Sequence, residues 1–312
     1  MKKTVIGNDG ELDVSVLCHG TDHFGTRVDE ATSFEILDRY VAAGGNFLDT
    51  SNFYAAWFEG GHGGESEALL GKWMKERGNR DQLIIATKVG VPYQDVPMGA
   101  SAEIIATEAE KSLKRMGIDT IDLYYTHLDD RNTPFEEQLG AMDKLVKAGK
   151  VRCLGASNVK AWRLEEGRST SLANGFASHA CVEQRYTYLR PKVGARFGGQ
   201  ISANRDLLEY CKVRNVTLLA YSPLLHGAYT RDDRAFPEQY QHADSDARME
   251  ALRAVAEEVG ATPGQVVLAW LIHQNIPPII GASRVEQVEE NLGAVEVELT
   301  EDQMKTLTRA GA

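Results

Sequence analysis

The sequence holds no run of about 18 apolar residues, so nothing in it reads as a membrane span. It also has no CxxC pair and no Cys/His cluster at metal-ligand spacing. Its four cysteines, Cys18, Cys153, Cys181 and Cys211, are scattered through apolar stretches. That excludes a disulfide framework and a zinc module, and reads as reduced core thiols of a cytoplasmic protein. Basic residues are in deficit, 34 Lys+Arg against 45 Asp+Glu, for a net charge of -11. This argues against nucleic acid or an anionic membrane as a partner, while leaving room for a local basic pocket around a phosphate. The opening "MKKTVIGNDG" has two lysines but no apolar stretch, so it does not read as a signal peptide. Linkers and internal repeats are absent too, and residues 1–312 are read as one domain.

What is present is a soluble, core-forming composition, 43% hydrophobic and 25% charged over 312 residues. Two short apolar runs around "NDG" at the start predict a β-hairpin. A regular rhythm follows. Eight short apolar runs appear: "VSVLCHG", "NFLDTS", "LIIATKVG", "IDLYYTH", "VRCLGASN", "ACVEQRY", "TLLAYSP" and "PPIIGAS". Helical patterns such as "DEATSFEILDRYVAAG" and "SAEIIATEAEKSLKRMG" separate them, several ending in glycine. Alternating strands and helices imply parallel pairing, and strands apolar along their length imply a sheet covered on both faces. Eight such units predict a (β/α)8 TIM barrel, its bottom capped by the hairpin. A Rossmann sheet fits less well, because no GxGxxG follows the first strand. Two helical stretches, "ALRAVAEEVG" and "TPGQVVLAWLIHQ", fall between the seventh and eighth strands, so one is additional. A last helix begins at "TEDQMKTLTRAG", with Thr300 as its N-cap. Long connections follow the sixth strand ("TYLRPKVGARFGGQIS") and the seventh ("PLLHGAYTRDDRAFPEQYQHADSDAR"), on the face where barrels build active sites.

Polar residues gather at the C-terminal ends of the strands. Asp49 ends the second, Lys88 the third and His127 the fourth, and Tyr54 lies in the loop after the second. Singly, each has a plain reading: a turn cap, a solvated charge, a core histidine, rim packing. Together they supply a proton donor and an oxyanion stabiliser. A cation beside a phenol favours the phenolate and lowers its pKa, which is ordinarily near 10. Lys88 supplies that cation, Asp49 holds it, and His127 donates to a substrate oxygen that gains negative charge. No nucleophile for acyl transfer is evident. The set suits a carbonyl that takes up a proton while another group delivers hydride. Ser157 and Asn158 end the fifth strand and Gln184 the sixth, with amide and hydroxyl groups suited to a carboxamide. Tyr221 ends the seventh strand and offers a flat face for a flat ring. After the eighth strand, "GASRVEQVEEN" starts a helix; Ser283 and Glu286 have capping-box spacing. The same N-terminus, with Arg284, suits a nucleotide phosphate.

In order, "FLDTSNFY", "ATKVG", "YYTHLDD", "LGASN", "VEQRY", "AYSPL" and "GASRVEQVEENL" resemble the aldo-keto reductase family over almost the whole length. The resemblance implies NADPH-dependent reduction of aldehydes or ketones, with NADH as a second candidate cofactor. It implies a tetrad of Asp49, Tyr54, Lys88 and His127, with Tyr54 as general acid. It assigns Ser157, Asn158 and Gln184 to the nicotinamide carboxamide and Tyr221 to stacking. Ser222, Leu224 and Gly227 fall to the pyrophosphate, and Ser283, Arg284, Gln287, Glu290 and Asn291 to the adenosine and its 2′-phosphate. Many members carry a lysine-serine pair after the last strand and an arginine further on; here those positions are Gly281, Ala282 and Gln287. The pattern is closer to the bacterial and potassium-channel β-subunit branch, which leaves Arg284 as the 2′-phosphate cation. The longer loop "AAWFEGGHGGESE" reads as a substrate rim with Trp57 and Phe58 as wall residues, and Glu59, Glu65 and Glu67 would repel a phosphate there. Arg196, Gln200 and Arg231 hint at a hydroxylated substrate such as a sugar. Two other readings stand beside this one: an NADPH-binding, redox-sensing subunit with little turnover, and a lyase forming a Schiff base on Lys88. Oligomeric state is left open.

Overall fold

A computed structural model describes residues 1–7 and 12–311. Strands β1 (Lys3–Ile6) and β2 (Leu12–Ser15) pair antiparallel as the expected hairpin; its "NDG" turn, residues 8–10, lies outside the described residues. Eight parallel strands follow in sequential order: β3 (Cys18–Gly20), β4 (Phe47–Asp49), β5 (Ile84–Val89), β6 (Ile121–Thr126), β7 (Val151–Ser157), β8 (His179–Arg185), β9 (Thr217–Tyr221) and β10 (Ile279–Ile280). Strand β10 pairs with β3, and a bridge from Ala220 to Pro278 joins β9 to the β10 end, so the sheet closes into a (β/α)8 barrel.

One helix follows each of the first six barrel strands: α1 (Glu30–Ala42), α2 (Glu65–Arg77), α3 (Ala102–Met116), α4 (Phe135–Lys147), α5 (Ala161–Asn174) and α6 (Arg205–Arg214). Helix α3 shows why these segments form and stop. Ser101 caps its first turn by accepting from the Ile104 amide, Ile105, Ala109, Leu113 and Met116 bury one face, and Gly117 ends it in the left-handed region at φ 64°. After β9 come α7 (Ala243–Val259) and α8 (Pro263–His273); after β10 come α9 (Val285–Gly293) and α10 (Glu301–Arg309). Helix α7 packs on α8 and α10 and is the additional one. Thr300 caps α10 as expected, in a reciprocal capping box with Gln303.

Three expectations change. The run "VSVLCHG" is not one strand: Val14 and Ser15 belong to the hairpin, and the barrel strand starts at Cys18. The loop after β9 is shorter than expected, because "ADSDAR" already lies in α7. The Ser283–Glu286 capping box does not form. Arg284 is the N-cap of α9, and the Gln287 side chain instead accepts from the Ser283 amide and hydroxyl.

The inward rows of the barrel change character along their length. At the bottom, Cys18, Phe47, Ile84, Leu123, Cys153, Cys181 and Ile279 form one apolar cluster, plugged by Ile6, Leu12 and Val14 of the hairpin. The cysteines Cys18, Cys153, Cys181 and Cys211 are all buried and form no disulfide among the described residues. Period-two alternation then carries the same faces upward into polar groups: Phe47 to Asp49, Ala86 to Lys88, Cys181 to Glu183 and on to Arg185.

Candidate active site

The chain leaving β4 stays bound to β5: the Thr50 amide donates to the Ala86 carbonyl at 2.9 Å and the Asn52 amide to that of Lys88 at 3.4 Å. A tight turn follows, with the Tyr54 amide donating to the Ser51 carbonyl at 3.1 Å. Asn52 anchors it from below by donating to Glu108 of α3 at 2.8 Å. The phenol is thereby folded back over the end of β5. Lys88 Nζ donates to the Tyr54 hydroxyl at 2.9 Å, to the Thr50 carbonyl at 3.1 Å and to Asp49 Oδ1. The Tyr54 hydroxyl donates to the same Asp49 oxygen at 3.2 Å. His127, directly after β6, has its ring centroid 6.0 Å from that of Tyr54. Its Nδ1 lies 3.3 Å from Ser51 Oγ. The four residues expected to form the tetrad thus meet at one point of the mouth.

Charge in this compartment follows from burial. Lys88 and Asp49 are both removed from solvent. Burial pushes the Lys88 ammonium down, but the Asp49 and Glu183 carboxyls outweigh it and its pKa ends above the ordinary value. A lysine held charged in this way is no Schiff-base nucleophile, which removes the physical basis of the lyase reading. His127 is pushed well below its ordinary value by burial and then by the Lys88 charge, so it is neutral and keeps one N–H to donate. Tyr54 departs from expectation. Burial first, then the charges of Asp49 and Glu183, raise its phenol well above 10. The cation beside it does not win: the hydroxyl stays protonated, the state a proton donor requires.

The opposite side of the mouth carries amides, hydroxyls and rings. Asn158, at φ 55°, donates from Nδ2 to the His127 carbonyl at 3.0 Å and to Ser157 Oγ at 3.1 Å. Its Oδ1 accepts from the Ile201 amide at 3.0 Å and from the Tyr221 hydroxyl at 2.7 Å. Gln184 is fully buried and its amide grips both the N–H and the carbonyl of Val159. After β9, Ser222, Leu225, His226 and Gly227 all have positive φ, between 48° and 87°. The run forms a tight turn in which the Leu225 and Gly227 amides donate to the Ser222 and Leu224 carbonyls. At the start of α9, Arg284 is exposed and makes no ion pair among the described residues. Gln287 is spent on Ser283, Glu290 binds Thr262 and Gln265, and Asn291 is buried. The set fits a dinucleotide in two features: a stackable ring at Tyr221 and, at Arg284, a cation without an ion pair among the described residues.

The rim residue Trp57 is 46% exposed yet packs edge-on against Tyr54 and tilted against Phe53, with centroids 5.7 and 5.1 Å away. His23, from the loop after β3, closes the same cluster at 6.3 Å. Phe58 is exposed. Of the three acids expected to charge this loop, only Glu59 stands there. Glu65 accepts from the His62 amide at the start of α2, and Glu67 is buried against Thr87 and Arg115. The hints of a hydroxylated substrate also weaken, since Gln200 is spent on Arg185 and Arg231 on Asp233.

One buried ionisable group escaped the sequence reading. Glu183 sits beside Gln184 in "VEQRY", and the amide drew attention as a carboxamide partner. Strand alternation was the available signal. If Cys181 faces the barrel interior, so does Glu183, and Gln184 faces away. The structure places Glu183 Oε2 3.5 Å from Lys88 Nζ.

A closed barrel bearing this constellation at its mouth is that of an NAD(P)H-dependent carbonyl reductase. The chain belongs to the Aldo/keto reductase family, whose model matches residues 16–312. It is 31% identical to the uncharacterized oxidoreductase YrpG of Bacillus subtilis, across 98% of this chain and 95% of that protein. It is 31% identical to the norsolorinic acid reductase stcV of Emericella nidulans, across 93% of this chain and 76% of the relative. The aldo-keto reductase yakc [NADP(+)] of Schizosaccharomyces pombe is 30% identical across 98% of this chain and 90% of its own. A crystal structure of the thermostable aldo-keto reductase Tm1743 with the inhibitor epalrestat superposes with a TM-score of 0.77, at 30% identity over 98% of both chains.

Proposed function

We propose that this protein uses NADPH to reduce aromatic or otherwise flat apolar aldehydes and ketones, with Tyr54 as the general acid. The observation that carries the reading is the Tyr54 hydroxyl itself, bracketed by the Lys88 ammonium at 2.9 Å and the Asp49 carboxylate at 3.2 Å. A bound nicotinamide supplies hydride to the carbonyl carbon. The chain supplies the rest. Neutral His127 donates an N–H to the carbonyl oxygen as negative charge grows there. Tyr54 gives its proton to that oxygen, and Lys88 stabilises the phenolate left behind. Asp49 keeps the ammonium in place throughout. Alcohol oxidation uses the same groups in reverse.

NADPH is favoured over NADH by Arg284, an exposed cation at the N-terminus of α9 with no carboxylate partner among the described residues. The substrate class follows from the ring cluster of Phe53, Tyr54, Trp57 and His23 at the rim. Nicotinamide absorbance, followed with aromatic aldehydes, aliphatic aldehydes and sugars against both NADPH and NADH, tests the reading. Turnover highest with NADPH and aromatic aldehydes is expected. Preference for sugars would overturn the substrate class, and tight cofactor binding with negligible turnover would restore the redox-sensing alternative.

A further inference from the structure

The reaction above uses one carboxylate to hold Lys88, yet the structure puts two beside it. Glu183 is 3% exposed, 3.5 Å from Lys88 Nζ, and its Oε2 has no hydrogen-bond partner; Asp49 Oδ2 is orphaned in the same way. The groups that face Glu183 are Cys18 on β3, Asp49 on β4, Lys88 on β5, Tyr125 on β6, Cys181 on its own strand and Tyr221 on β9, with Tyr54 above. On β7, Cys153 lies lower in the same interior cluster. Lys88 is the cation among them. With both carboxyls ionised, the compartment would hold an uncompensated buried negative charge, which is costly.

One proton therefore stays, and contact geometry says where. Asp49 has the closest bond to Lys88 and also accepts from Tyr54; Glu183 has the longer approach to the ammonium and shares a contact with the Asp49 carboxyl. We propose that Glu183 is a positioning residue of the reductase reaction. Protonated, it leaves Lys88 free to hold Asp49 and Tyr54 together; ionised, it draws the ammonium away from the Tyr54 hydroxyl. The inference rests on Tyr54 being the general acid.

Burial, and next the Asp49 charge, push the Glu183 carboxyl up to about 8. Around it Tyr54, Lys88, Cys18, Cys181 and Tyr125 are all raised, and His127 is pushed well below its ordinary value. Asp49 beside it is raised too, chiefly by burial, so an alkaline fall in activity near that value belongs to the carboxyl pair, and its loss in Glu183→Gln would assign it to Glu183. The protonated form is the competent one, so kcat for carbonyl reduction is full below about 8 and declines above it.

The test is the pH profile of kcat for wild type and Glu183→Gln, with Glu183→Asp as the second variant. Glu183→Gln cannot ionise, so its profile should lose the alkaline limb. Loss of one neutral hydrogen-bonding group should reduce kcat below neutrality by no more than about tenfold. Glu183→Asp should restore a limb at a shifted pH. Fluorescence titration should show cofactor affinity unchanged in both. An alkaline limb in Glu183→Gln identical to that of wild type would overturn the inference, as would a wild-type profile with no limb. If Glu183→Gln does not fold, the presence and position of the limb in wild type and Glu183→Asp decide. Full turnover by Tyr54→Phe would instead bring down the reading on which the inference stands.

Discussion

The two sides of the barrel mouth are built on different principles. Around the ends of β4 and β5, joined across the barrel by Glu183 of β8, charged groups are buried and locked to one another: Asp49, Lys88, Glu183 and the Tyr54 hydroxyl form one compartment. On the side of β7, β9 and α9, the polar groups are neutral or exposed, and most amides already hold partners within the protein. Asn158 is spent on four groups, Gln184 on Val159 and Gln287 on Ser283. Proton transfer needs preset charge, and water would screen it, so that side is closed. Dinucleotide recognition needs reach and exchange. In the reading proposed above it falls on the groups left open, which are the Tyr221 ring and the Arg284 guanidinium.

The contrast can be broken first on the charged side. Lys88→Met removes the cation that stabilises the phenolate, and kcat should fall by about 10²- to 10³-fold, measured with saturating NADPH and an aromatic aldehyde. Cofactor affinity should hold.

Asp49→Asn should test how closely the two carboxyls back each other up. Removing one partner of a buried ion pair typically costs about 3–5 kcal/mol. Here urea denaturation should show a smaller loss, because Glu183 stands 3.5 Å from the same ammonium and takes over as its counter-charge. The double variant Asp49→Asn/Glu183→Gln should reach the full cost. Equal losses in the single and double variants would show that Glu183 gives Lys88 no support.

On the open side, effects should be smaller and selective. Arg284→Gln should raise KM for NADPH by about tenfold, the size of one charge-assisted bond at an exposed site. KM for NADH should stay put. A parallel change for both cofactors would move the 2′-phosphate site elsewhere. Smallest of all, Trp57→Ala should raise KM for aromatic aldehydes by about three- to tenfold and leave small aliphatic aldehydes unaffected.

The same contrast explains what could be read before the structure. Barrel order, hairpin, Thr300 cap and the meeting of Asp49, Tyr54, Lys88 and His127 were legible because each rests on local pattern: an apolar run, a turn, a residue at a strand end. Tyr54 could be placed in sequence as the candidate acid, but the direction of its pKa could not be read. The lysine beside it was visible in sequence, whereas its burial and the second carboxyl were not. Glu183 was hidden by its neighbour, since adjacent strand residues point to opposite faces and the face is set by register. At α9, "SRVEQ" offers two ways to satisfy a helix start, and the longer Gln287 side chain reaches Ser283 where Glu286 was expected. The division of "VSVLCHG" between hairpin and barrel has the same origin: an apolar run shows burial, not which sheet receives it.

The central claim is that Tyr54 gives the proton while hydride reaches the carbonyl. Its most direct test is a single turnover, with NADPH bound to wild type or to Tyr54→Phe before an aromatic aldehyde is mixed in. Loss of nicotinamide absorbance should be slowed by about 10²- to 10⁴-fold in the variant, with fluorescence showing the cofactor still bound. A Tyr54→Phe variant that oxidises its bound NADPH at the wild-type rate would contradict the account.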